Sequence, residues 1–344
     1  MYRQKTLDVQ AAERARGRWN AIAKPLFGLG EFENIITRIA AVQGTEKISI
    51  KKRALAVVCA DNGVVDEGVT QTGREVTKIV AENFAKGDTS ACKMASRTGF
   101  DVFAYDAGVV GGAVGTLNVR IADGTKNIAH GPAMSRRDAL KAIDNGVEIA
   151  GALKAEGYRL IATGEMGIGN TTTSSAVVSV LLGKSPSEVT GRGAGLSTDG
   201  LMKKISVIER AIAVNRPDAG DAVDVLAKVG GFDICTLAGI FIGGAVYGVN
   251  IIIDGFISAA AALCAERILP GAADFMIASH SSKESAMEAV LNALGKKAVI
   301  HADMCLGEGT GAVLMGPLLD AAVAVYEEMA TFGDINVEEY REQC

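Results

Sequence analysis

The chain has 344 residues, of which 49% are hydrophobic and 22% are charged, and its formal net charge is −5. This composition is that of a globular protein and excludes a disordered chain. Lysines and arginines are scattered among acidic residues, so no basic stripe favours nucleic-acid binding. Aromatic residues make up only 5% of the chain, whereas 41 residues are glycine. That balance favours an α/β protein with many tight turns over an aromatic-rich β-sandwich.

The N-terminal residues are polar and charged, and they do not predict a secretory signal. The longest apolar stretch, residues 239–253, is interrupted by Asn250 and several glycines. A buried helix followed by a buried strand is therefore expected there, not a membrane span. The six cysteines form no CxxC pair and the three histidines are dispersed. These features predict reduced thiols in a cytoplasmic protein and no structural zinc site.

Short β-branched runs alternate with helical patterns along the chain. The first 50 residues show helical patterns and connections but no strong strand. The predicted strands are residues 54–61, 102–108, 159–164, 249–255, 275–280 and 298–303, and the predicted helices are residues 76–96, 137–156, 172–182, 201–215 and 222–229. This alternation is typical of a parallel sheet covered by helices on both faces.

We therefore predict a doubly wound, Rossmann-like α/β domain over residues 51–315. A small helical domain should accompany it, formed by residues 1–50 together with C-terminal helices within residues 316–344, including one at residues 318–332. In such sheets, ligands bind beyond the carboxyl ends of the strands. Three glycine- and polar-rich segments of this sequence follow predicted strands.

The first segment begins with Asp61 and Asn62 at the end of a predicted strand. Taken alone, it is better explained as an Asn-Gly turn with a solvated acidic flank than as a site.

The second segment is Thr163-Gly-Glu-Met-Gly-Ile-Gly-Asn-Thr-Thr-Thr173. Gly167 and Gly169 allow the backbone to approach a ligand, and a helix is predicted to begin near Asn170 or Thr171. The amides and dipole of that helix can hold a phosphate. The segment is neither a Walker motif nor a dinucleotide fingerprint. A capped strand-to-helix turn explains its glycine spacing somewhat better than a ligand site does.

The third segment, Asp303-Met-Cys-Leu-Gly-Glu-Gly-Thr-Gly-Ala312, places Glu308 between glycines at the entry to a buried helix starting near Ala312. Desolvation there should raise the pKa of Glu308 and suit it to accept a proton near neutral pH. Capping of the following helix by Glu308 explains the same position, and spacing alone does not decide between the two roles.

Together these segments resemble the nicotinate-nucleotide–dimethylbenzimidazole phosphoribosyltransferase family. The matching motifs extend over nearly the whole chain and include Gly28-Leu-Gly30, Gly63-Val-Val-Asp-Glu-Gly68, Gly131-Pro-Ala-Met-Ser135, Gly164-Glu-Met-Gly-Ile-Gly-Asn-Thr-Thr172, Ser279-His280 and Leu306-Gly-Glu-Gly-Thr-Gly311. The resemblance implies transfer of the phosphoribosyl group from nicotinate mononucleotide to a cobamide lower-ligand base. Nicotinate is released, and neither a metal nor a cofactor is required. A dimer, either homomeric or with a paralogue, is implied as well.

The resemblance also implies roles for particular residues. Glu308 matches the general base, and Glu165 matches a second acid near the reacting carbon. The donor phosphate is expected at Gly167, Gly169, Asn170, Thr171, Thr172, Gly193 and Lys204, and the acceptor base at Thr72, Val80, Asp254, Phe256 and Ser258. His280 and His301 follow predicted strands, where histidines are more often structural than catalytic.

Several positions depart from the family pattern. Asn62 replaces a common histidine, Thr72 a serine, Val80 a glutamine and Cys305 a basic residue. An apolar Val80 and a neutral Cys305 near Glu308 leave the acceptor open among a substituted benzimidazole, a phenol or p-cresol, and a purine. The alternatives are a phenol-activating relative that needs a paralogous subunit, and a weakly active structural subunit of a heterodimer. Retention of both glutamates argues against the structural subunit.

Overall fold

Six parallel strands form one sheet in the computed structural model, which describes residues 2–193 and 195–340. The strands are β1 (Arg53–Ala60), β2 (Phe100–Gly108), β3 (Leu117–Asn118), β4 (Leu160–Met166), β5 (Asn250–Ile253) and β6 (Met276–Ala278). Their order is β3-β2-β1-β4-β5-β6, and all neighbours are parallel. The chain runs from β1 to one edge and then returns beside β1 to form β4. Strand order therefore reverses between β1 and β4, where doubly wound sheets bind ligands.

Helices cover both faces of this sheet. They are α1 (Val9–Ala21), α2 (Glu31–Gln43), α3 (Glu75–Ala85), α4 (Ser90–Thr98), α5 (Arg136–Ala155), α6 (Asn170–Leu182), α7 (Pro186–Val189), α8 (Thr198–Asn215), α9 (Ala222–Val229), α10 (Phe232–Tyr247), α11 (Phe256–Ile268), α12 (Met287–Ala293) and α13 (Thr310–Glu328). Side chains of Asp8, Thr89 and Ser135 accept hydrogen bonds from first-turn amides of α1, α4 and α5. Such caps satisfy amides that the helix itself leaves unpaired.

Strand β1 is buried along its whole length and divides the core into two layers. Its alternate residues Ala54, Ala56 and Val58 pack with the layer that contains α5, α6, α10 and α11. Leu55 and Val57 point the opposite way, toward α1, α2, α4 and α13. The period of two in a strand explains this division, and burial on both faces explains why β1 is continuously apolar.

The predicted fold class is confirmed, as are five of the six predicted strands. The prediction for residues 298–303 was wrong, because this segment makes only an isolated bridge between Ile300 and His280. Strand β3 was not predicted, since it has only two residues and both are exposed. The predicted helix at 76–96 is two helices, α3 and α4. The C-terminal helix begins at Thr310 and ends at Glu328, earlier than the predicted 318–332.

The N-terminal helices and α13 pack together on one face of the sheet. Arg18 donates to the backbone oxygen of Tyr326 at 3.0 Å, and the rings of Trp19 and Tyr326 lie 4.9 Å apart. Among the described helices, α13 alone is long and apolar enough to span a bilayer, but half of its apolar window is buried inside the protein. The division into segments 1–50, 51–315 and 316–344 stays a prediction.

Candidate active site

A cleft of about 410 Å³ lies beyond the carboxyl ends of β4 and β5. The predicted site residues that line it are Thr72, Glu165, Gly167, Gly169, Asn170, Thr171, Gly193, Lys204, Asp254, Phe256, Ser258 and Glu308. Thr172 and Val80 do not line this cleft. Thr172 is fully buried inside α6, and Val80 packs from α3 against the core.

Glu308 lies in a strained turn that directly precedes α13 and packs against β4. Its φ is +62°, a left-handed conformation that is uncommon for a residue with a side chain, and Gly307 and Gly309 flank it with φ of +83° and +91°. Its Oε2 accepts a hydrogen bond from the Ala91 amide at 3.1 Å, at the start of α4. Burial raises the pKa of Glu308, while hydrogen bonds from Ala91 and Thr89 oppose the rise. Glu308 therefore interacts with the N-terminus of α4 and does not cap α13.

Asp254 caps α13 instead. Its Oδ2 accepts from the Gly309 amide at 3.1 Å, and its Oδ1 accepts from the Ala312 amide at 2.9 Å. Burial raises the pKa of Asp254 to about 6, although these backbone hydrogen bonds lower it. These two hydrogen bonds from Asp254 fix the backbone at Gly309 and Ala312, directly after Glu308. This geometry supports a positioning role for Asp254, in addition to its place in the wall of the cleft.

The turn that carries Glu308 packs directly on the end of β4. A Cβ atom added to Gly164 would lie 2.5 Å from the backbone oxygen of Glu308, so no larger residue fits without displacing the turn. The hydroxyl of Thr163 beside it lies 2.7 Å from that of Ser258 and donates to the Ile252 oxygen at 2.8 Å. The Ser258 hydroxyl also accepts from the Asp254 amide at 3.1 Å. Ser258 therefore joins β4 to the start of α11.

Glu165, at the end of β4, is adjacent to Glu308. It is only 7% exposed, and it accepts hydrogen bonds from the Asn170 side chain and from the Glu308 amide. Burial raises the pKa of Glu165 to about 8, and the nearby charges of Asp233 and Asp254 add to the rise. A carboxyl group with this pKa is mostly protonated at neutral pH. The two glutamates of the site are therefore held in different electrostatic environments.

The part of the cleft next to the start of α6 has features that suit an anion. Helix α6 begins at Asn170 after Gly169, whose φ is +94°. Lys204 of α8 is 1% exposed, and its Nζ donates to Thr171 Oγ1 at 2.8 Å and to the Gly191 oxygen at 3.2 Å. Burial lowers the pKa of Lys204 to about 8. A buried lysine beside a helix N-terminus supports the predicted binding of a phosphate.

The sequence did not single out several residues that the fold brings to this region. Asp233, at the start of α10, is fully buried and receives a hydrogen bond from the Asn62 side chain at 3.3 Å. Burial raises the pKa of Asp233 to about 6, with Asn170 among the groups that lower it. Glu284 and Arg192 line the cleft as well. Glu284 belongs to no motif whose spacing would have indicated a site, whereas Arg192 lies in the glycine-rich loop of the predicted site residue Gly193.

The two histidines named from the sequence have different positions. His280 lines the cleft, and burial lowers its pKa to about 4, so the ring is neutral at physiological pH. His301 is exposed and does not line the cleft. Within residues 2–193 and 195–340, no group of three or more His, Cys, Asp or Glu side chains is arranged to hold a metal ion.

Comparison with known proteins places this geometry in a family. The family model described as "Phosphoribosyltransferase" matches residues 4–337, so the chain is an enzyme of the phosphoribosyltransferase class. A nicotinate-nucleotide–dimethylbenzimidazole phosphoribosyltransferase of Ruminiclostridium cellulolyticum is 45% identical over 339 residues, which cover 98% of this chain and 96% of the relative. The enzyme of that name from Acetivibrio thermocellus is 46% identical over 328 residues, covering 95% and 93%.

A solved structure agrees with these relatives. The crystal structure of CobT from Thermus thermophilus superposes with a TM-score of 0.91 at 39% identity, covering 96% of this chain and 99% of that one. The chain therefore belongs to the nicotinate-nucleotide–dimethylbenzimidazole phosphoribosyltransferase family, and the resemblance found in the sequence is confirmed.

Proposed function

We propose that this chain transfers the phosphoribosyl group of nicotinate mononucleotide to a benzimidazole base and releases nicotinate. The observation that carries the proposal is a single cleft in which the start of α6 contacts Lys204 through Thr171 and Glu165 through Asn170, with Glu308 beside Glu165. The lysine contact suits a phosphate, and the pair of glutamates suits proton transfer next to a carbon that becomes positively charged.

Nicotinate is a good leaving group in this reaction. Its ring nitrogen is a cation in the donor, and it becomes neutral when it takes the electrons of the glycosidic bond. The acceptor nitrogen attacks the ribose C1′ from the opposite face, which inverts a β donor to an α product. Because the leaving group is already activated, no acid is needed to protonate it.

We assign the general-base role to Glu308. As the imine nitrogen of the benzimidazole bonds to C1′, its other ring nitrogen must lose a proton, and the Glu308 carboxylate accepts it. The raised pKa brings this base closer to neutrality, which makes it a stronger proton acceptor. The strained turn and the α4 amide hold the carboxylate in one orientation.

We assign Glu165 to the positive charge of the donor. A pyridinium nitrogen or a cationic ribose carbon nearby would favour the ionised carboxylate and oppose the effect of burial. Glu165 accepts from the Glu308 amide, and both residues line the same cleft, which supports a single reacting centre between them. The ionised Glu165 would then stabilise charge that develops as the glycosidic bond breaks.

The donor phosphate is assigned to the amides of Gly167, Gly169 and Thr171, with Gly193 and Lys204 completing the site. Asn170 orients Glu165 at the same time, through the hydrogen bond that it donates to that carboxyl group. The start of α6 therefore joins the phosphate end of the cleft to the reacting end.

The acceptor is assigned to the part of the cleft walled by Phe256, Leu306 and Cys305, with Thr72 at its rim. The relatives are named for dimethylbenzimidazole, and the apolar wall suits such a flat, methylated ring. Val80 lies outside this wall, so any contact with the base would require α3 to approach it.

We also propose that the enzyme is a cytoplasmic dimer. Four exposed apolar side chains support an interface near α3, namely Ile79, Val110, Val114 and Leu117, which are 55%, 38%, 78% and 48% exposed. Ile79 and Val110 line one shallow pocket, and exposed apolar surface of this kind often marks a protein–protein contact. Light scattering of the purified protein would give the mass of a dimer, and a monomer's mass would contradict this assignment.

Nicotinate release tests the proposed activity. Purified protein is incubated with nicotinate mononucleotide and each of dimethylbenzimidazole, p-cresol and adenine, and nicotinate and the ribosyl product are followed by chromatography. We expect release that depends on dimethylbenzimidazole. Release with none of the three bases would refute the proposal.

A further inference from the structure

Glu284 is a carboxylate at the phosphate end of the cleft. It lies in the loop between β6 and α12, and its Oε1 accepts a hydrogen bond from the Gly193 amide at 3.0 Å. Its charge raises the pKa of Lys204 against the effect of burial. The residue therefore reaches across the cleft to the glycine loop and the lysine assigned to the donor phosphate.

Only one of the two carboxylate oxygens of Glu284 has a hydrogen-bond partner among the described residues. While Oε1 has a partner, Oε2 is buried and accepts no hydrogen bond from the described residues. Oε2 lies against the backbone at Gly191, where an added Cβ would come within 1.6 Å of it. A buried carboxylate oxygen without a donor is costly, so this arrangement is less stable than one in which the anion is fully hydrogen-bonded.

The donors that Glu284 approaches are those a phosphate would use. A Cβ on Gly193 would lie 3.6 Å from Lys204 Nζ and 3.1 Å from Thr171 Oγ1, so the Gly193 amide, Lys204 and the start of α6 converge on one small volume. A phosphate has more acceptor oxygens than a carboxylate and can use all of these donors at once. Two anions in that volume would repel each other and compete for a single buried ammonium group.

We propose that Glu284 is a positioning residue that holds the Gly193 loop and Lys204 in their binding arrangement and is displaced by the donor phosphate. This inference rests on the proposed function, since it adds a competitor to the donor site assigned above. Glu284 keeps a negative charge next to Lys204 until phosphate replaces it. Rotation of the Glu284 side chain toward solvent is enough for phosphate to take its place, because Glu284 is only half-buried.

Phosphate binding measured by calorimetry tests the inference without requiring turnover. Inorganic phosphate and nicotinate mononucleotide are titrated separately into wild-type protein, Glu284→Gln and Glu284→Ala. Glutamine can still accept from the Gly193 amide but carries no charge. Displacement predicts that Glu284→Gln binds phosphate more tightly, by at least about fivefold, because the competing anion is gone while the contact with the Gly193 amide is kept. Glu284→Ala loses that contact as well and should gain less.

A purely structural role predicts the opposite pattern. If Glu284 only orders the loop, the glutamine variant keeps the wild-type affinity and the alanine variant loses affinity. Unchanged or weaker phosphate binding by Glu284→Gln therefore overturns the proposal. Glu288→Gln is the matched control, since it removes the same charge from an exposed position of α12 and should leave the affinity unchanged.

Kinetics give a second reading that separates this inference from the proposed function. In an active enzyme, Glu284→Gln should lower KM for nicotinate mononucleotide and strengthen inhibition by inorganic phosphate, while kcat stays within about threefold. A raised KM would overturn displacement. If no protein form releases nicotinate, the proposed function fails, but tighter phosphate binding by Glu284→Gln would still establish the competition at this anion site.

Discussion

Replacing Glu308 with glutamine tests the catalytic assignment most directly. Glutamine has nearly the same shape and keeps an oxygen that can accept from the Ala91 amide, which lies 3.1 Å from the carboxylate. It cannot accept the proton that the benzimidazole must lose. We therefore expect kcat to fall by about 100- to 10,000-fold, the usual contribution of a general base. The protein should still fold, because the α4 contact loses at most about 1 kcal/mol of charge–dipole interaction.

The pH dependence of the rate gives an independent reading of the same residue. Burial raises the pKa of Glu308 above its ordinary value, and the base must be ionised to accept a proton. In the wild-type enzyme kcat should therefore fall as the pH drops through this raised pKa. Glu308→Gln should lack that acid limb. Glu188→Gln, an equivalent change in the exposed capping box of α7, should alter neither the rate nor the profile.

An N-methylated acceptor separates proton removal from electrostatic stabilisation. In 1,5,6-trimethylbenzimidazole the second ring nitrogen carries no proton, so transfer yields a cation and needs no base. Wild type and Glu308→Gln should then transfer to this acceptor at similar rates, within about tenfold. A retained rate with dimethylbenzimidazole in the variant would refute the general-base role. An equal loss with both acceptors would show that Glu308 acts through its charge alone.

Three further substitutions probe the rest of the cleft. Burial raises the pKa of Glu165 from 4.5 to about 8, so its contribution to the free energy of unfolding is complete below pH 4.5 and is lost as the pH rises to 8. The Tm of Glu165→Gln should therefore fall less than that of wild type between pH 4.5 and pH 8. The same variant should have a kcat/KM at least about tenfold lower. Thermal unfolding with no pH-dependent difference from wild type would contradict this. Lys204→Met should raise KM for nicotinate mononucleotide by about 100-fold while affecting kcat less, and an unchanged KM would exclude Lys204 from the phosphate site. Asp254→Asn places an amide group opposite the Gly309 or Ala312 amide, so kcat should fall by at least about tenfold; an unchanged kcat would show that the α13 cap does not position Glu308.

The sheet was largely predictable from sequence because its strands carry the signal themselves. Strands β1, β4 and β5 are buried on both faces, so each appears as a continuous apolar run that ends in polar or glycine residues. Residues 298–303 carry the same pattern, yet they make only one isolated bridge, from Ile300 to His280, two residues after the end of β6. Local pattern cannot distinguish an apolar run that pairs along its length from one that pairs at a single residue.

The helix boundary within residues 76–96 shows a different limit. The apolar period continues through both α3 and α4, but Gly87 has a φ of +72° and Thr89 caps α4 by accepting from the Cys92 amide. Both are recognisable breaking signals in retrospect. Predicting one continuous helix hid the N-terminus of α4, whose Ala91 amide binds the Glu308 carboxylate.

The members of the candidate site were predictable where they follow strands or belong to glycine motifs. Glu165 and Glu308 meet these conditions, and the fold brings them to one cleft. Glu284 does not, because it lies in an ordinary loop, and Asp233 ends the family motif at residues 224–233 but was given no site role. Their relation to the site depends on chain segments far apart in sequence, which no spacing rule contains.

The position of the proposed base depends on three separate elements. Strand β4 meets the Glu308 backbone at Gly164, Asp254 fixes the following turn through the amides of α13, and α4 binds the carboxylate. Glu308 accordingly keeps a left-handed backbone that would cost free energy in an isolated turn. The capping role that the sequence offered for Glu308 falls to Asp254, and the carboxylate of Glu308 is left for the cleft: the Ala91 amide of α4 orients it, and its other side can accept the proton of the base.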